Sequence, residues 1–225
     1  MRPVPLPGYS HTEQPGSASV DFLSDSNFTE LVVEVDYMPG YKPNEQALDT
    51  LKAFFEQRLH KNSVIIKEPV EVPSGGEAKY SADEVRALEA KYRSTFTEGE
   101  TLAAYMIIVD GKYEGGNLLG IAYYNTSNAF FGPSYDEASG GTLQPSRYQI
   151  EAISFRHEFG HLFGLVGIIE MQAEHRDEQH GHHCDNEECL MYYATQTTDI
   201  GYIAGEGISY LDANCIADLR AEGGK

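Results

Sequence analysis

An α/β (α+β) domain, a sheet with helices packed on it, is the fold class this sequence predicts. Three observations carry that expectation. Segments of strand-like alternation or short apolar runs take turns along the chain with segments of helical spacing. Clusters of Gly, Pro, Asn and Ser separate them. At 225 residues with 41% apolar content, the chain is long enough for one real core.

The elements follow in order. "FTELVVEVDYM" (28–38) alternates through Leu31, Val33 and Val35, as a half-buried strand does. "PNEQALDTLKAFFEQRLH" (43–60) opens on Pro43 and sets Ala47, Leu48, Leu51, Phe54, Phe55 and Leu59 on one helical face. "NSVIIKEPVEV" (62–72) reads as a strand bent or pushed to an edge at Pro69. "SADEVRALEAKYRSTF" (81–96) starts with Ser81 and Glu84 at capping-box spacing and continues as a helix. "TLAAYMIIVDG" (101–111) is a mid-sheet strand, and "LLGIAYYNTSNAFFG" (118–132) one further strand of edge or bulged type. "PSRYQIEAISFRHEFGHLFGL" (145–165) is the longest helical pattern, stopped near Gly164. Residues 166–190 are irregular and rich in His and acids, and a last helix spans about 209–222.

Net charge of −19 excludes nucleic acid as a partner, because its phosphates would be repelled. The longest apolar runs are too short to cross a bilayer. Residues 1–19 lack a signal-peptide core and read as a Pro/Gly/Ser-rich flexible leader, with 20–225 as a single catalytic domain. Such a leader is compatible with an upstream lipid anchor and with an ordinary frayed terminus.

The chemistry concentrates in "HEFGH". His157 and His161 lie four apart on a helix, so their rings share one face and suit one ion, with zinc the usual partner of neutral imidazoles. Glu158 is placed to act on a water held by that ion, as general base. Zinc brings the pKa of bound water from ~16 to ~7, within reach of a carboxylate.

His157, Glu158, His161 and Gly164 resemble the front half of the metzincin metalloprotease signature, which then supplies a third histidine where this chain has Gly167. The run His183-Cys184, four residues, Cys189, one residue, Met191 is similar to the third-ligand region of archaemetzincin-like proteins. The layout also looks like bacterial lipoprotein membrane metalloproteases. The resemblance implies a twisted mixed sheet with packed helices, an active-site helix, a Met-turn and a C-terminal helix. It implies Zn2+ held by His157, His161 and His183, across an insertion of 168–183. His180 is the second choice, and His175 and His182 remain candidates. A carboxylate ligand from Glu170, Glu174, Asp177 or Glu178 is a weaker alternative, since it leaves the Cys and Met spacing unexplained. Met191 is expected as an apolar floor under the metal, and Tyr193 as a second ligand or oxyanion donor.

Archaemetzincins use four cysteines for a second zinc, but only Cys215 follows Cys189 here, so a four-cysteine site cannot form. A Cys184–Cys189 disulfide is expected instead, pinning His183 and implying an oxidising, extracytoplasmic setting, while Cys215 reads as a buried thiol. The acidic 166–190 loop is taken as a solvated face rather than a calcium site. Together these readings point to a zinc metalloendopeptidase acting on peptides bound along an edge strand in 118–125. A zinc hydrolase of another bond and a non-catalytic peptide binder are the alternatives.

Overall fold

A computed structural model describes residues 8–142, 144–167, 174–198, 207 and 209–225. A short helix α1 (Ser19–Leu23) precedes the first strand β1 (Glu30–Tyr37) and the helix α2 (Glu45–Arg58). Then come β2 (Ser63–Ile66), β3 (Val70–Glu71), β4 (Lys79–Tyr80) and α3 (Ala82–Tyr92). The second half holds β5 (Thr101–Val109), β6 (Lys112–Tyr113), β7 (Gly120–Tyr124), β8 (Ser127–Phe131) and α4 (Gly132–Ala138). The helix α5 (Arg147–Leu162) and, near the end, α6 (Ala213–Ala221) complete it.

The main sheet is mixed, as the sequence implied: β2, β1, β5 and β8 run parallel, and β7 returns antiparallel at one edge. Burial of β5 on both faces explains its unbroken apolar run. Leu102, Ala104, Met106 and Ile108 pack with α2 and α5, while Tyr105, Ile107 and Val109 pack with Val85 of α3 on the other side. β2 and β3 both pair with β1 but are separated around Pro69, whose missing N–H ends the ladder.

Caps fix where the helices begin. Ser81 and Glu84 form the expected capping box on α3, and Ser146 with Gln149 forms another at the start of α5. Asn44, rather than Pro43, caps α2 through the N–H groups of Gln46 and Ala47. Every residue of α5 from Ile150 to Leu162 is buried. One end of the helix is held by an aromatic cluster in which Phe159 meets Phe55 at 4.8 Å and Phe163 stacks on Phe54 at 5.9 Å. The metal-site residues therefore sit on a helix that has no solvent face and little freedom to move.

Three expectations need correction. Residues 118–132 are not one strand but the β7/β8 hairpin, with the chain turning at Asn125–Thr126; the bulge sits between Ala122 and Tyr124. Polar Asn125, Thr126 and Ser127 mark that turn but are buried, which masked it as a strand interior. The helices α1 and α4 were not anticipated. Residues 8–18, read as flexible leader, are laid against the body: Ala18 is buried and Asn125 donates its backbone N–H to Glu13.

Phe159→Ala is expected to lower unfolding free energy by about 3–5 kcal/mol in urea titrations, because a packed ring leaves a cavity. Ile65→Ser, half exposed on β2, should change it by less than about 0.5 kcal/mol.

Candidate metal centre

The floor of the site is built where α5 ends. Gly164 (φ +83), Val166 (φ +56) and Gly167 (φ +75) all adopt left-handed backbone, so the chain swings sharply off the helix axis. For Val166 that conformation costs on the order of 1–3 kcal/mol. Position 167 thus serves the turn, and the chain must travel further for another imidazole.

His157 and His161 are buried on α5 with their Nε2 atoms 3.1 Å apart. Two 2.0–2.1 Å bonds to one tetrahedral zinc would separate ligand nitrogens by roughly 3.3 Å, so the spacing fits. His157 Nδ1 lies 2.8 Å from the Leu190 carbonyl and 2.7 Å from Thr195 Oγ1, while that hydroxyl itself lies 2.7 Å from the carbonyl. With its Nδ1 proton given to Leu190, His157 presents a bare Nε2. Burial pushes the His157 pKa down to about 3 and that of His161 well below its usual value, with the neighbouring imidazoles adding to both. Both rings are neutral at physiological pH, the form that binds metal. His161 Nδ1 has no hydrogen-bond partner.

The third imidazole is His183. Its ring nitrogens and those of His157 and His161 form a group whose ligand atoms lie within 4.8 Å of one another. Its Nδ1–H donates to the His180 carbonyl at 2.9 Å, leaving Nε2 toward the site and 3.1 Å from Gln196 Oε1. A small ladder sets its position: Asp177 N–H donates to the His183 carbonyl, and Cys184 N–H donates to Met191. His180 lines the cavity at this site but stays outside the three-imidazole group, its ring stacked on Tyr193 at 3.6 Å and its Nδ1 2.6 Å from Asp177. His182 lines the same cavity without joining the three-imidazole group. Glu170 lies outside the described residues. Glu174, Asp177 and Glu178 are not in that group.

Glu158 is fully buried beside the histidines, and burial pushes its pKa up to about 8. Gln196 Nε2 donates to its Oε1 at 3.2 Å and, with the backbone of Ala122, opposes that rise. Its Oε2 has no partner, so an acceptor oxygen is held free in a desolvated site. Met191 packs beneath α5 with no exposure; a Cβ on Gly160 would come within 2.4 Å of its sulfur. Gly160 is therefore what lets the turn at Met191 approach the helix. Thr195, Gln196 and Gly160 escaped sequence reading because Thr and Gln carry no metal-site signature and a glycine inside "EFGH" resembles any helix glycine.

A second cluster lies on the far side of His183. All three cysteines are free and buried, so the Cys184–Cys189 disulfide is not formed, and the argument it gave for an oxidising compartment falls with it. Instead Cys189 Sγ lies 3.6 Å from Cys215 Sγ, and His175 Nδ1 lies 3.4 Å from Cys184 Sγ. His175, Cys184, Asp212 and Cys215 have ligand atoms within 4.8 Å of one another. His175 Nε2 pairs with Asp218 at 2.9 Å, the carboxylate–histidine arrangement that commonly backs a metal ligand. Both carboxylate oxygens of Asp212 already accept N–H bonds, from Cys215 and Asn186. The neighbouring thiols and the N–H groups of Asp212 and Met191 hold the Cys189 thiol well below its ordinary pKa. His175, Cys184 and Cys215, with Asp212, make a zinc-type donor set, and Cys189 adjoins it through Cys215. His175, from upstream of the three cysteines, brings an imidazole to this cluster.

Against solved structures, the chain superimposes on archaemetzincin from Methanopyrus kandleri with a TM-score of 0.55, covering 88% of this chain and 96% of that one at 16% identity. The fold is archaemetzincin-like. Metalloproteinase-II from Bacteroides fragilis aligns over 96% of this chain but 59% of its own, at TM-score 0.45 and 15% identity. Mirolysin, solved in complex with a compound, aligns over 86% of this chain and 91% of its own, at TM-score 0.42 and 12% identity. No family model and no curated protein matches the sequence.

Gly160→Ala is expected to displace Met191 and cost about 1–3 kcal/mol in thermal or urea unfolding, the usual size of an overpacking strain.

Proposed function

We propose that this chain is a zinc-dependent metalloendopeptidase, with His157, His161 and His183 as zinc ligands and Glu158 as the general base. The observation that carries the reading is the meeting of His183 with the helical pair beside a buried Glu158 whose Oε2 is free. When bound, zinc polarises the scissile carbonyl and makes water acidic enough to be deprotonated near neutral pH.

The chain's own groups do the rest. Glu158 Oε2 receives the proton of the attacking water and later delivers it to the leaving amine. Gln196, donating to Oε1, holds that carboxylate in one orientation. A nearby dication favours the ionised carboxylate and brings Glu158 below the value that burial alone gives it. The free side of β7, an edge strand running past Glu158, suits an extended peptide paired through backbone groups. Tyr193 rests on His180 and serves best as a wall residue, so an oxyanion role for it requires its ring to leave that stack.

The second cluster supports a structural zinc held by His175, Cys184, Cys189 and Cys215, closed to substrate because its thiols are buried. It ties the segment carrying His183 and the turn at Met191 to α6. Placement of the protein outside the cytoplasm, on a lipid anchor, stands as a further proposal to be tested by cell fractionation.

Glu158→Gln should keep its zinc by elemental analysis and lose about 10²–10⁴-fold in peptide hydrolysis. Equal cleavage by that variant rules out the assigned base. His183→Ala is expected to release one zinc equivalent with loss of activity, whereas His180→Ala retains both; the reverse pattern reassigns the third ligand. Cys215→Ser should release the other equivalent, with an apparent stability loss that grows as free zinc falls.

A further inference from the structure

The cleft beside the three histidines has a wall that the metal chemistry does not require. The cavity encloses about 460 Å³, and Gln14 and Pro15 line it together with Ala122, His161, His183 and Gln196. These two residues belong to a strap laid down before α1. Asn125, immediately after β7 and 3% exposed, holds the strap at two points. Its backbone N–H donates to the Glu13 carbonyl at 2.9 Å, and its Nδ2 donates to the Ser10 carbonyl at 3.0 Å.

Both ends of the strap are anchored. Tyr9 packs edge-on against Phe28, and His11 against Phe96. Downstream, Ala18, Phe22 and Leu23 are buried in the core, with Phe22 against Phe159 and Phe163 of the metal-site segment. The strap offers Asn125 only backbone carbonyls, those of Ser10 and Glu13. Backbone pairing at a strand edge is also how an extended peptide would bind. The strap stands where a peptide running along β7 past Ala122 and Tyr124 would continue.

We propose that the Ser10–Pro15 strap is a built-in gate on substrate length, closing the arm of the cleft at the Asn125 end of β7. The proposal rests on the peptidase reading of the same site. In the seated position the cavity remains open over the histidines, so a peptide with few residues on that side of the scissile bond reaches the site unhindered. A peptide extended on that side must displace the strap, and gives up the two carbonyl bonds to Asn125 in doing so. Gln14 and Pro15 are thereby specificity-determining residues, and Asn125 is the clasp.

The test compares the full chain with its Asn125→Ala variant, and with Pro15→Gly, which loosens the strap from its own side should the first variant fold poorly. Quenched peptides extended on one side, on the other side, or on neither are assayed for kcat/KM. The expected result is a roughly fivefold gain for peptides extended on one side only, about what the single Nδ2 bond to Ser10 is worth, since Asn125→Ala keeps the backbone N–H bond to Glu13. Peptides that are short on that side should keep their wild-type values. Equal changes for all peptides, or none, overturn the gate. Equilibrium binding of a fluorescently labelled extended peptide carrying a reduced, uncleavable bond is measured on the same proteins. If the wild type cleaves nothing, the peptidase reading fails. Binding then decides alone: tighter capture by the variants supports the gate, and equal affinity overturns it.

Discussion

The site depends on one interaction above the others, the bond from His157 Nδ1 to the Leu190 carbonyl. It joins the buried face of α5 to the turn that carries Met191, and it selects the tautomer that leaves Nε2 bare. Thr195 reinforces it by placing its hydroxyl 2.7 Å from both groups. Without this link the helix would offer two histidines but no fixed floor. The chain accepts real costs to preserve it: a left-handed valine at position 166 and a glycine inside a helix at position 160.

Burying such a group of polar side chains is costly. Three imidazoles crowd together in neutral form, and a carboxylate sits desolvated with one oxygen unpartnered. No cationic side chain among the described residues offsets Glu158. The aromatic cluster around Phe159 and Phe163 supplies the apolar burial that keeps these groups in place. In this arrangement apolar packing at one end of α5 offsets the cost of buried polar groups along it.

The region after α5 carries few regular elements, yet it brings His183 to the helical pair of His157 and His161. Packing alone would do that badly for a polar, acidic segment. Two devices replace a conventional core there. One is the backbone ladder joining residues 175–177, 183–185 and 191–192. The other is the convergence of His175 and the three thiols, which draws the insertion, the Met191 turn and α6 to one point. A closed chelate of this type restricts a long loop at its base and so limits the entropy that ordering it costs.

Sequence alone settled whatever depends on local periodicity and on short spacing. The strand–helix alternation, the capping box at Ser81, and the sharing of one helix face by His157 and His161 follow from short spacings and from fixed repeats of 3.6 and 2 residues. The register of His183 with Cys184 and Met191 singled out, among four neighbouring histidines, the one whose ring nitrogen converges with those of His157 and His161. Only the tertiary structure decided the partners that arrive from afar. Cys189 meets Cys215 from α6 as well as its neighbour Cys184, His175 comes up to Cys184, and Gln196 reaches Glu158 across 38 positions. It also turned one expected strand into a hairpin and a supposed free leader into a strap on Asn125. Loop path and leader path are set by distant backbone carbonyls and buried surfaces, and no local repeat in the chain encodes where those will stand.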